Sequence, residues 1–167
     1  MAIDKNDSGF DKIFFALDDL MDKAESDTLL ESRTIPEAET DVYPAVFQRE
    51  VHADRFQRLV LEGATDLYKF LDIHSVTDDG MGFQEDEYEG ELYFKVKKST
   101  FEDNVLKQMD YTLEQALLHY FYSFWFAMIP QRPDISERYT GMYQALRTKI
   151  HRYTLHKKKA TKQYRAY

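Results

Sequence analysis

Leu113-Glu-Gln-Ala-Leu-Leu-His-Tyr-Phe-Tyr-Ser-Phe-Trp-Phe-Ala-Met-Ile129 is the most apolar stretch of this 167-residue chain. A membrane span needs about 20 mostly apolar residues. This stretch is shorter, carries Glu114, Gln115, His119 and Ser123, and is stopped by Pro130. It reads as a buried helix rather than a span. From Tyr120 to Phe126 it is apolar on most sides, which places it at the centre of a core. The stripe Phe101, Val105, Met109, Leu113, Leu117, Tyr120, Phe124, Met128 extends it back to Thr100, with Asp103 as a weak capping-box partner. If continuous to Ile129 the helix is about 44 Å long. Thr112, with Glu114 in its first turn, offers a break near residues 110–112.

Working outward, Pro130 and Pro133 make a tight corner and Asp134 is placed to cap a last helix. Ile135, Tyr139, Met142, Tyr143, Leu146, Ile150 and Tyr153 form its apolar face. After Leu155 the chain is rich in Lys, Arg and Tyr, with no pattern for a fold of its own. Upstream, Tyr88, Gly90, Leu92, Phe94 and Val96 alternate with Glu89, Glu91, Tyr93, Lys95 and Lys97, the period of a half-buried strand. Ile73–Thr77 is its expected hairpin partner across Asp79-Gly80. Before that, Phe56, Leu59, Val60, Gly63, Leu67, Phe70 and Leu71 mark a helix starting near Ala45 or Asp54. Gly63 costs about 1 kcal/mol against Ala there; a tolerated glycine is the plainer reading, a close helix crossing the alternative.

Glu25–Pro44 has no period and reads as a linker or as an arm lying on a neighbouring subunit. Phe10, Ile13, Phe14, Leu17, Leu20 and Met21 predict a short amphipathic helix capped by Ser8. The expected architecture is therefore mainly α: a helical bundle with a small inserted β-hairpin, a long N-terminal arm and a basic C-terminal tail. The divisions are residues 1–24 (amphipathic helix), 25–44 (extended arm or linker), 45–155 (helical core with the β insert near 73–98) and 156–167 (basic tail).

Composition sets the outer limits. At 43% hydrophobic and 15% aromatic residues the chain is equipped for a real core, unlike disordered chains. It holds no cysteine, which excludes disulfides, thiolate metal sites and cysteine nucleophiles. Met1–Ser8 is polar and acidic, unlike a signal peptide. An intracellular or virion setting fits both features.

Signatures of catalysis and cofactor binding are missing. No phosphate-binding loop, dinucleotide fingerprint, serine-nucleophile motif or His-Glu-x-x-His occurs. His52, His74, His119, His151 and His156 read as core or surface histidines rather than ligands. A calcium loop centred on Gly80 would start at Ser75 and end at Asp86, where an EF-hand needs Asp first and Glu last. The run Glu85–Glu91 reads as a solvated face. The expectation is a non-enzymatic protein with no catalytic residue, metal or cofactor.

The net charge of −8 hides an asymmetry. No Asp or Glu follows Glu137; the last 30 residues carry nine positive side chains, +9, while the first 137 hold 13 positive and 30 negative, net −17. An acidic body repels a phosphate backbone, and the basic end seeks one, or seeks an acidic protein surface. The candidate partner- or nucleic-acid-binding residues are Arg147, Lys149, Arg152, Lys157, Lys158, Lys159, Lys162, Tyr164, Arg165 and Tyr167. Lysines neutralise phosphates, and tyrosines stack on bases or fill protein pockets.

The order of these elements resembles the small helical head–tail connector (neck adaptor) proteins of tailed phages. The residues that carry it are Ala53-Asp54-Arg55-Phe56 at the start of the second helix, Tyr120–Ile129, and the closing Lys/Arg/Tyr tail. The resemblance implies a virion protein assembled in the host cytoplasm, forming a ring of identical subunits between portal and tail proteins with DNA passing through. It supplies no catalytic residue. The alternative is a soluble nucleic-acid-binding protein using its basic tail, whose salt-dependent binding is expected to vanish on truncation after Leu146.

Overall fold

A computed structural model of the protein describes residues 3–4, 10–35, 46–69, 71, 81–85, 90–97, 103–129 and 132–155. In chain order the elements are β1 (Ile3–Asp4), β2 (Phe10–Ala16), α1 (Leu17–Ser32), α2 (Arg49–Tyr68), β3 (Met81–Glu85), β4 (Gly90–Lys97), α3 (Asp103–Phe126) and α4 (Pro133–Leu155). The fold is mainly helical, with a small antiparallel hairpin, as the periodicities require.

The helix α3 is unbroken through residues 110–112. Thr112 does not cap a new helix; its hydroxyl donates back to the Gln108 carbonyl at 2.7 Å, the bond that lets a threonine sit inside a helix. The aromatic half of α3 is the core. Phe121 and Trp125 stack with centroids 5.5 Å apart, and Phe47 and Phe56 pack their edges on Phe121 at 5.4 and 4.8 Å. All four rings are buried, and such edge-on geometries suit the ring quadrupoles. Phe47 comes from the segment that leads into α2.

The proline corner turns the chain back. Pro133 opens α4, where its missing N–H costs nothing. Asp134 lies inside the first turn rather than at the cap, and both its oxygens are held at 2.9 Å by the Arg132 guanidinium. Arg132 also donates to the Thr34 carbonyl at 3.1 Å, tying the corner to the end of α1. Ser136 meets the Ser123 carbonyl, Tyr143 meets Tyr120 and Tyr153 meets Thr112. Numbers rise on one helix as they fall on the other, so α3 and α4 run antiparallel.

On α2 the expected Phe56, Leu59, Val60, Gly63 and Leu67 are buried, as is Leu71 just beyond the helix; Ala64 joins them, and Phe70 lies outside the described residues. Gly63 is not merely tolerated. A Cβ there would lie 2.9 Å from Cγ and Cδ1 of Tyr120 and 3.2 Å from its Cβ. The glycine is where α2 crosses α3 closely.

Two expectations fail at the N-terminal end. Phe10–Met21 is not one helix; Phe10–Ala16 is a strand, and the helix begins at Leu17. The same residues carry a second period. Ile13, Phe15 and Leu17 are buried while Phe14 and Ala16 are only half-buried, and aromatic and β-branched residues favour strands. Pairing decided between the two periods. β2 lies antiparallel along β4 with Ile13 opposite Phe94 and Phe15 opposite Leu92, so the described sheet has the order β1-β2-β4-β3. Nor is Glu25–Ser32 part of an arm, because α1 runs on to Ser32. Its apolar signal was weak there, since Ala24 and Thr28 are buried while Leu29 and Leu30 are exposed. The buried Thr28 hydroxyl substitutes for apolar contact: it donates to the Ala24 carbonyl at 2.7 Å and accepts from the Phe47 N–H at 2.9 Å. Residues 36–44 of the expected arm lie outside the described residues.

In the hairpin, Leu92 and Phe94 face inward as the alternation requires. The partner strand is Met81–Glu85, with Glu85 opposite Gly90. The expected partner Ile73–Thr77 and the expected turn at Asp79-Gly80 lie outside the described residues, as do Ser75 and Asp86.

Candidate functional site

Of the ten residues expected to bind partners, three fall on the last turns of α4: Arg147, Lys149 and Arg152. Lys157, Lys158, Lys159, Lys162, Tyr164, Arg165 and Tyr167 lie outside the described residues. The three do not act alike. Arg147 is half-buried and faces inward, with its Nε 3.4 Å from Oδ2 of Asp66 on α2. The same oxygen accepts from the Tyr143 hydroxyl at 2.6 Å, and burial followed by Asp66 pushes the Tyr143 phenol well above its ordinary range. Arg147 thus joins α2 to α4. Lys149 and Arg152 are exposed and three residues apart, on one helix face. Arg152 stands in the last turn of α4, where the helix dipole favours cations. Lys149 lies 5.9 Å from the Tyr153 ring centroid. The tail's outward basic surface therefore begins at Lys149.

The opposite charge collects around α1. Asp18 and Asp22 pair with Arg49 of α2, and Lys23 pairs with Glu114 of α3. Asp19, Glu25 and Asp27 are exposed on the same helix. A hollow of about 390 Å³ opens where α1 meets the sheet and α3, with Phe14, Phe15 and Leu20 along one wall and Asp19, Glu91, Asp110 and Glu114 among its polar groups. Burial first, and then the Glu114 charge, raise the Asp110 carboxyl above its ordinary range. Glu91 is half-buried in β4; the exposure of the rest of the acidic run Glu85–Glu91 lies outside what is described.

An open groove of about 490 Å³ lies between α1 and α4, over α3. Its floor is aromatic: His119, Tyr122 and Tyr139 have ring centroids 5.0 to 6.2 Å apart. The tyrosine hydroxyls point at carboxylates of α1. Tyr122 donates to Asp27 Oδ2 at 2.7 Å, and Tyr139 to Glu31 Oε2 at 3.1 Å. Burial and then the Glu31 charge push the Tyr139 phenol up to about 12; burial and Asp27 raise that of Tyr122 further. Both phenols stay protonated donors. Arg138 bonds Glu31 Oε2 at 2.6 Å and sits over the Tyr139 ring at 5.0 Å. Burial lowers the His119 imidazole, opposed by Asp27, and its Nδ1 is buried without a hydrogen-bond partner among the described residues. Leu30 and Met142, both exposed, form the apolar lips of the groove.

This groove was not legible in the chain. Asp27 and Tyr122 are 95 residues apart, and Glu31 and Tyr139 are 108 apart. Among the described residues no group of three or more His, Asp or Glu side chains is placed to hold a metal ion, and no helix is long and apolar enough to cross a membrane. Compared with known proteins, the chain matches no family model, no curated protein and no solved structure.

Proposed function

We propose that the protein is a structural virion component: a ring-forming head–tail connector (neck adaptor) that docks between portal and tail proteins with DNA passing through. The observation that carries this reading is the segregation of charge. The last 30 residues hold nine cations and no carboxylate, against a net −17 in the rest. An acidic lining lets DNA slide without sticking, and a basic extension grips an acidic neighbour. The exposed pair Lys149 and Arg152 and the acidic exposed side of α1 support it. A tail on one surface and its receptor on another make a heterologous contact, the kind that closes into rings. The test is electron microscopy of the full-length protein at low salt, with its mass in solution measured alongside. Closed rings are expected; a monomer at every concentration overturns the proposal.

A second reading, a soluble nucleic-acid-binding protein, is favoured by the outward position of Lys149 and Arg152. Its test is titration of a DNA duplex at several salt concentrations. The informative truncation ends at Leu155. A cut after Leu146 would also remove the fully buried Ile150 and the half-buried Tyr153 that meets Thr112, and so confound lost binding with a damaged core. Tail-dependent, salt-sensitive DNA binding by a monomer would replace the connector reading with this one.

A further inference from the structure

We propose that His119 is an acid-operated latch: a proton gained at its buried Nδ1 loosens the second half of α1 from α3 and α4. The latch works within one subunit, whether or not the chain forms rings. Nδ1 of His119 is buried and has no hydrogen-bond partner among the described residues. A neutral imidazole tolerates this by keeping its proton on Nε2 and leaving Nδ1 as a bare lone pair. An imidazolium carries a proton on both nitrogens. Charging the ring therefore buries an N–H with no acceptor, which costs the full desolvation of a charged donor.

The groups around the ring do not supply that acceptor as they stand. From α1, Asp27 accepts the Tyr122 hydroxyl, and Glu31 is met by Arg138 and Tyr139. From α4, Arg138 and the Tyr139 phenol are donors, and Tyr122 on α3 itself is another. Arg138 and Glu31 oppose each other's charge. Asp27 is thus the anion that favours a charged His119, and burial outweighs it.

The position of the ring makes it a latch. His119 lies in the groove floor, with its centroid 6.2 Å from that of Tyr122 and 5.5 Å from that of Tyr139. Those two hydroxyls tie Asp27 and Glu31, one turn apart on α1, to the other helices. On gaining a proton the ring turns its new N–H towards Asp27, in competition with Tyr122, and disturbs the floor that carries both ties. The first half of α1 is held elsewhere, by Lys23 on Glu114 and by Arg49 on Asp18 and Asp22, so the loosening is local. Its sign follows from linkage. The folded chain binds the His119 proton less tightly than the unfolded chain. The neutral ring's contribution to stability is therefore whole above the ordinary histidine value of about 6.5 and is lost as pH falls through it.

The test follows the imidazole and backbone amide NMR signals of the full-length chain from about pH 8 to pH 5, with urea unfolding at the same pH values. His119 is expected to titrate below the ordinary histidine range, and the amides of residues 27–32 to shift with its midpoint. Asp27→Asn keeps an oxygen to accept from Tyr122 but removes the favouring charge, and is expected to move that midpoint lower. His119→Phe keeps a ring that cannot titrate. The parent is expected to lose stability relative to it as the solution is acidified. Where His119→Phe fails to fold, His119→Gln takes its place, and where both fail the NMR titration of the parent decides. A midpoint at or above the ordinary value, α1 amides that ignore it, a midpoint that Asp27→Asn leaves in place or raises, or a stability gap that stays constant with pH would each overturn the latch.

Discussion

Replacing Gly63 by alanine sets two known effects against each other at one atom. In an exposed helix Ala is favoured over Gly by about 1 kcal/mol. Here the new Cβ would sit 2.9 Å from Cγ and Cδ1 of Tyr120 and 3.2 Å from its Cβ. Those atoms lie near the backbone of α3, so a rotamer change does not move all of them away. The ring is also confined, by Phe124 at 4.9 Å and Tyr143 at 5.2 Å between centroids. Relief requires α2 to move off α3, and overpacking of this kind costs typically about 1–3 kcal/mol. The clash outweighs the propensity gain, and Gly63→Ala is expected to lose about 1–2 kcal/mol net. For a chain of this size that lowers the melting temperature by roughly 2–8 °C. Urea unfolding followed by circular dichroism measures it, with the midpoint falling and the slope unchanged. The sharper test is a cycle with Tyr120→Ala, which removes the obstructing ring. In that background Gly63→Ala should become neutral or stabilising, with a coupling of about 1 kcal/mol or more. Additive effects, or a Gly63→Ala chain that is more stable than the parent, would refute the close crossing.

Three further outcomes follow from the packing. Thr28→Val should destabilise by about 1–3 kcal/mol in urea, because it leaves the buried Phe47 N–H without the acceptor it now has at 2.9 Å. Arg147→Ala should lower stability by up to about 1 kcal/mol through its half-exposed ion pair with Asp66, while Arg152→Ala should leave the unfolding midpoint in place; equal effects would mean that Arg147 does not join α2 to α4. Asp110→Asn is expected to stabilise at neutral pH. The folded chain raises the Asp110 carboxyl and so binds its proton more tightly than the unfolded chain, so this group's contribution to stability falls as pH rises through its titration. The gain over the parent should disappear in acid, below the ordinary aspartate range, and pH-dependent unfolding of both proteins checks it.

Where a segment's period had one interpretation, the chain's own pattern sufficed. The middle of the α3 stripe at Met109, Leu113 and Leu117, most of the α2 face and the alternation at Leu92 and Phe94 appear as expected, because burial on one side of a helix or strand leaves its period in the residues that are buried; toward its end the stripe fails, with Phe124 exposed and Phe121 and Trp125 buried in its place. Phe10–Leu17 had two interpretations. Its offsets of three and four compete with the offsets of two at Ile13, Phe15 and Leu17, and nothing within the segment says that a β4 edge awaits it. The pattern places the end of helix α1 too early for a related reason: past Ala24 its buried contact is a threonine hydroxyl, whose value depends on the Phe47 amide 19 residues away.

Charge divided along the same line. That the C-terminal end is basic and the body acidic is plain from counting, since formal charge does not depend on folding. Whether a given cation faces outward does depend on it. Arg147 is committed to Asp66, and Lys149 and Arg152 are exposed, because the 3.6-residue turn of α4 carries positions two apart to different sides. Composition and period, which are properties of neighbouring residues, thus settled the helical class, the central aromatic helix and the polarity of charge. The α1–α4 groove, the crossing at Gly63 and the strand at Phe10–Ala16 came from contacts between residues far apart in the chain, which only packing brings together.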